Sequence, residues 1–191
     1  MNRETDDRAY LLATARELYG RAVYSHKTHE KERVIWGDRV CSMGRWNVGL
    51  VSLTTLFAIL SAVLKPLALL LLTALISAAT TGFVLWQANF DPVGKENQHR
   101  TAAKEFLWIR EQLLLLIERC HIASVPIQEL QVSLEGLTRE LTSMYKFAPN
   151  TSALAYGQAQ AALKSGEFTF SDEEIDAFLP VAVRKGTTAG S

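Results

Sequence analysis

The chain has 191 residues, with 20 basic and 20 acidic side chains and no formal net charge. Zero net charge excludes a dedicated nucleic-acid binder, which must present a basic surface to phosphate. Two cysteines, Cys41 and Cys120, are too few for a disulfide framework and read as reduced structural thiols facing one compartment.

The charge is unevenly spread. Between Asn47 and Phe90 the only charged side chain is Lys65, so an apolar block is framed by two charged flanks. The N-terminus, Met-Asn-Arg-Glu-Thr-Asp-Asp, does not read as a secretory signal, because no apolar run follows within the first 30 or so residues. Instead Leu11, Ala15, Leu18 and Ala22 recur at helical spacing and predict a helix from about Glu4 to Ile35. His26 and His29 share a face of it. With His99 and Cys41 they suggest at most one adjacent pair, short of the three or four converging ligands a metal needs, so they read as structural or interfacial.

The apolar block divides into two runs. Asn47 to Leu64 spans about 27 Å as a helix and Leu67 to Phe90 about 36 Å, against a hydrocarbon core about 30 Å thick. Leu67 to Leu72 is apolar on every face, so it must lie in lipid or inside protein. A soluble bundle would have to wrap both helices completely, which leaves transmembrane spans at about 47–64 and 67–88 as the expectation. Lys65-Pro66 between them stops the first helix, since proline disfavours helical backbone before it. So short a turn forces an antiparallel hairpin. Lys27, Lys31, Arg33, Arg39 and Arg45 precede the block and Lys95, Arg100 and Lys104 follow it, whereas the turn has Lys65 alone. Positive-inside bias therefore places both termini in the cytoplasm, with Trp46 and Trp86 at the interface.

The second span carries Ala74, Ala78 and Gly82 four residues apart, with Ser77 and Thr81 in a neighbouring row; the first offers Ala58 and Ala62. Small residues at this spacing let backbones approach. The stripe suits packing within the hairpin, and equally a seam between copies or a pore lining. Neither run contains an ionisable residue, which argues against a pump or ion-coupled carrier. Two helices enclose no pore, so a pore requires an oligomer.

After the block, Asp91-Pro92 reads as an N-cap with proline at the first helical position. A helix should follow to about Cys120, its apolar face Ala103, Phe106, Leu113 and Ile117. Beyond Pro126, the residues Ile127, Leu130, Leu134, Leu137, Leu141 and Met144 form a heptad stripe. It suits packing within a cytoplasmic bundle, or pairing with a separate coiled-coil partner. Residues 152–164 are alanine-rich and helical. Ser171 with Glu174 is a capping-box signature opening a short acidic helix from Asp172 to Leu179, stopped by Pro180. The tail 185–191 reads as disordered. The expected architecture is an all-α membrane protein. Its parts are an N-terminal cytoplasmic helix (1–45), a transmembrane hairpin (46–90), and a C-terminal cytoplasmic helical region (91–184) that joins the N-terminal helix in a bundle. No phosphate loop, nucleophile elbow or paired-cysteine zinc motif appears, so neither catalysis nor a cofactor is expected.

Several pieces, in order, resemble a known family. They are Tyr24-Ser25-His26-Lys27, Trp46 entering the first span, Phe90-Asp91-Pro92, and His99 with Ala102 and Ala103. The last is the stretch from Phe170-Ser171-Asp172-Glu173-Glu174 to Pro180. Together they resemble the SLATT domain, a bacterial two-helix membrane effector domain, over most of the chain. The resemblance implies a role in nucleotide-dependent conflict systems. It also implies a pore-forming or membrane-perturbing effector of antiphage abortive infection in the bacterial inner membrane. Its expected partners are the bilayer, further copies of itself, and a nucleotide-signal synthase or sensor. A membrane-anchored docking scaffold without pore activity is the alternative.

Overall fold

The computed structural model describes residues 3–167 and 171–178. The tail at 185–191, together with Leu179 and Pro180, lies outside these residues. Within them every regular element is α-helix.

The first helix, α1 (Arg3–Leu64), is 62 residues long, about 93 Å at 1.5 Å per residue. The stop expected near Ile35 is absent. No proline interrupts the stretch, and helices pack along its whole length, which outweighs the weak helix preference of the isolated glycines Gly37, Gly44 and Gly49. The turn behaves as expected: α1 ends at Leu64, Lys65 takes a left-handed conformation (φ 57°), and α2 (Leu67–Phe90) runs back antiparallel.

Between α2 and α3 (Pro92–Cys120) stands one residue, Asp91, at φ 42°. Its carboxylate accepts a bond from Gly94 N at 3.0 Å, and Pro92 occupies the first turn of α3. A Cβ at Gly94 would collide with that carboxylate, so the cap demands glycine there. The joint re-aims the chain without reversing it. As a result α2 and then α3 both run back along α1, α2 against its apolar half and α3 against its charged half.

Both seams follow a seven-residue period. Along α1, Ala15, Ala22, His29 and Trp36 are buried, and Met43, Leu50 and Phe57 continue the series half-buried. On α3, His99, Phe106, Leu113 and Cys120 alternate with Ala102, Ile109 and Leu116, all buried. This is the pattern of an antiparallel coiled coil. Helix α4 (Ile127–Phe147) adds Leu130, Leu134 and Leu141 to the same core, with Ile127, Leu137 and Met144 half-buried against it. Arg8 closes the α3–α4 loop by donating to the Cys120, Ile122 and Val125 carbonyls at 3.4, 3.0 and 2.8 Å, satisfying groups that the end of α3 leaves unpaired. Helix α5 (Ala153–Lys164) packs on α1 through a face containing Ala155, Ala159 and Ala162. A short α6 (Asp172–Phe178) follows, opened by the capping box. In it Ser171 N donates to the Glu174 carboxylate (2.9 Å) and Glu174 N to the Ser171 hydroxyl (3.2 Å).

Candidate functional site

Two regions carry the polar and apolar features that packing alone does not require. The first is the apolar hairpin. Its internal seam is Asn47, Leu50, Thr54 and Phe57 on α1 with Leu69, Thr73, Ile76, Thr80, Phe83 and Gln87 on α2, all half-buried. Two polar rungs fix its register. Asn47 and Gln87 exchange amide bonds at 2.9 and 3.2 Å, and the Thr54 and Thr80 hydroxyls meet at 3.4 Å. The remaining faces are apolar and open: Val51, Leu56, Ile59, Leu67, Leu71, Leu75 and Leu85 are each more than half exposed. Neither apolar stretch has a buried residue, so the bundle does not wrap them as a soluble core would.

Ala74, Ser77, Ala78, Thr81 and Gly82 are all exposed and lie off this internal seam. At 100° per residue Ala78 stands opposite Ile76 and Thr80. Nothing lies within 4 Å of a Cβ placed on Gly82. The small-residue stripe is therefore not what joins the two spans; larger residues with polar rungs join them.

The second region is a buried polar layer on α1, just outside the hairpin, where His26, Lys27, Thr28, His29, Glu32 and His99 are all buried. His29 and His99 face each other across the coiled-coil seam with their Nδ1 atoms 3.0 Å apart, and His29 stacks on Phe106. That bond holds one proton: one ring donates and the other accepts. Burial, then the His99 and His26 charges, lower the His29 pKa to about 4, while Glu32 opposes. Burial likewise lowers His99 against the opposing Glu32 charge, and lowers His26, whose Nδ1–H donates to the Ala103 carbonyl at 2.9 Å. All three are neutral at pH 7.

Around them, charged groups fasten α5 to α1 at both ends. Glu32 accepts from the Ser152 N–H (2.8 Å) and hydroxyl (2.7 Å), and the same hydroxyl caps α5 by accepting from Ala155 N. Burial resists the Glu32 charge, but the two Ser152 bonds outweigh it and its pKa falls. Past the other end of α5, Glu167 receives Lys27 at 2.6 Å and Lys31 at 3.2 Å, and Lys27 also reaches Glu30 at 2.7 Å. Those bonds raise the Lys27 pKa despite its burial. Tyr24 stacks with Tyr156 of α5, and the Ser25 hydroxyl meets that of Tyr145 on α4 at 3.1 Å. One two-turn stretch of α1 thus holds α3, α4 and α5 together.

Of the residues singled out from sequence, Tyr24, His26 and His99 meet in or beside this layer. Pro92 is buried at the joint, Trp46 is exposed, Glu174 caps α6, and Cys41 is exposed while Cys120 is in the core. No group of three metal-binding side chains occurs among the described residues. The sequence reading gave no packing role to Lys27, Glu32, Asn47, Thr54, Thr80, Gln87 or Glu167. The signal for several of them was present: Asn47 with Thr54, and Thr80 with Gln87, fall at seven-residue spacing within otherwise apolar seams.

The family model described as "SMODS and SLOG-associating 2TM effector domain family 4" matches residues 11–174. Comparison with curated proteins and with solved structures gave no match. The match begins at the first core leucine of α1 and ends at the capping-box glutamate, covering the hairpin and the bundle together, and the chain belongs to this SLATT family of two-transmembrane effector domains.

Proposed function

We propose that the chain is an effector of a bacterial antiphage conflict system that oligomerises in the inner membrane and makes it leak when a nucleotide signal or partner arrives. It acts without catalysis, with both termini in the cytoplasm and the helical bundle as control element. The single observation that carries this reading is the exposed stripe Ala74, Ala78 and Gly82 on a span whose pairing with α1 is already satisfied by other residues. Close-packing small residues turned away from the partner span suit contact between copies. Ser77 and Thr81 flank the stripe, and Thr81 returns its hydroxyl to the Ser77 carbonyl at 2.9 Å, so that hydroxyl's donor is met within its own helix. The family description, which associates such domains with SMODS and SLOG partners, supports the signalled trigger.

The test is induced expression, alone and with the neighbouring genes, with membrane potential, growth and crosslinked oligomer size followed together. Depolarisation that Gly82→Leu and Ala78→Leu abolish along with the oligomer is expected. Unchanged potential in every combination would sink the effector reading.

A further inference from the structure

The side of α2 and α3 that faces away from α1 is one continuous surface. Both helices lie against a single seven-residue stripe of α1, from Ala15 to Phe57. On α2 the far face holds Ala74, Ala78 and Gly82, turned away from Ile76 and Thr80. On α3 the same rotation applies. Trp108 and Leu115 stand two residues, about 200°, beyond the buried Phe106 and Leu113. Ile122, just past the end of α3, continues their seven-residue spacing.

Trp108, Leu115 and Ile122 are 51%, 51% and 49% exposed, and Val132 of α4 beside them is 69% exposed. They border a groove of about 470 Å³ whose α4 wall includes Gly136, where an added Cβ would meet open space. Contiguous apolar surface of this kind marks an interaction site. Lipid does not reach it. Helix α3 follows α1, which runs unbroken into its span, and Trp108 stands 16 residues past Pro92, about 24 Å. The headgroup layer adds only roughly 5–7 Å to each side of the hydrocarbon.

We infer that this ridge is the cytoplasmic half of a contact between two copies of the chain, standing side by side in one membrane with their α2–α3 faces together. The inference takes from the proposed function that copies meet in the membrane, and nothing from leakage. Copies touching through the α2 stripe hold their α3 ridges at equal height, because the one-residue joint at Asp91 ties α3 to α2 and both pack on α1. Trp108, Leu115 and Ile122 then face their counterparts, with the open groove beside them to receive side chains. Lys104, Glu111 and Glu118 interrupt the ridge and limit its strength. Arg110 holds Glu111 at 2.5 Å within each copy, which weakens repulsion between like carboxylates. The ridge therefore adds to a contact that the spans have already made local.

The experiment places single cysteines at Ala78, Leu115 or Ala13 in the full chain carrying Cys41→Ser, with the buried Cys120 kept so that the core is unaltered. Ala13 is exposed on the back of α1, about 200° from Ala15. Each protein is reconstituted in phosphatidylcholine vesicles and oxidised with copper phenanthroline at falling protein-to-lipid ratio. Disulfide-linked dimer at Ala78 and at Leu115 is expected, several-fold above that at Ala13 and persistent on dilution with lipid. Dimer at Ala78 with no more at Leu115 than at Ala13 overturns the ridge as a self-contact and leaves it to a separate protein. Dimer at Leu115 with none at Ala78 keeps the ridge and overturns the stripe in the proposed function. Dimer at neither position, or equal dimer at all three, overturns both contacts.

Discussion

His29 and His99 share one proton across a buried seam, and the linkage between their charge and folding has a definite sign. The folded pKa of His29 lies near 4 against an ordinary value of 6.5, and those of His26 and His99 are lowered too. The unfolded chain therefore binds more protons between these values, and folding stability falls as pH drops from about 6.5 toward 4. The His29 contribution is on the order of 2 kcal/mol after allowing for partial screening. Chemical denaturation of the detergent-solubilised chain at pH 7 and pH 5 should show the loss, and His29→Asn should flatten the slope. Glu32 and Glu167, with pKa values lowered by their hydrogen bonds, act in the same direction, but only as pH falls through the ordinary carboxylate range, so the two windows separate. Lys27 gives a second contrast. Lys27→Met replaces a buried charge by an apolar chain of similar length and should be tolerated. Glu30→Gln with Glu167→Gln removes the two carboxylate charges at 2.7 and 2.6 Å from the ammonium and should be the more destabilising change in the same assay.

Among the elements, those set by local chemistry were legible. The Lys65-Pro66 turn, the Asp91-Pro92 cap, the Ser171–Glu174 box and the stripe from Ile127 to Leu141 all stand as their residues dictate. The extent of α1 was not, because nothing local marks that a soluble helix continues into a span. Only the seven-residue series from Ala15 to Phe57 reveals it, and that series passes through His29 and Trp36, which do not read as core. The α3 face was drawn partly off axis for the same reason: His99 and Cys120 belong to it and Ile117 is peripheral. The pairing face of α2 was obscured by its composition. Where every side is apolar, the contrast that marks a buried stripe is gone, and the small residues drew attention to the opposite side. The coiled coil itself is testable. Phe106 is fully buried between His29 and Tyr145, so Phe106→Ala should cost about 3–5 kcal/mol in unfolding free energy. Exposed Phe147→Ala should change it little. Equal effects at the two positions would mean that the α1–α3 seam is not the core.

For the whole molecule, orientation follows from charge at the two ends of the hairpin. A cysteine at Lys65, in a chain lacking Cys41 and Cys120, should react with an impermeant thiol reagent outside intact cells; protection there, with labelling at the termini, would invert the topology. The α2–α3 joint adds a further consequence. Because α1 crosses from bundle to hairpin without a break while α2 passes to α3 through Asp91 alone, both halves share one angular phase. One residue added to α1 between Gly37 and Asn47 would advance everything beyond it by about 100°, and the single-residue joint opposite has no slack to follow. The hairpin would then have to give up the Asn47–Gln87 rung or the bundle its His29–His99 contact. By the same geometry, a twist of α1 imposed at the polar layer would carry into the apolar half of the same unbroken helix, so an axial turn, without any change in helix length, is the motion this architecture is suited to pass from bundle to hairpin.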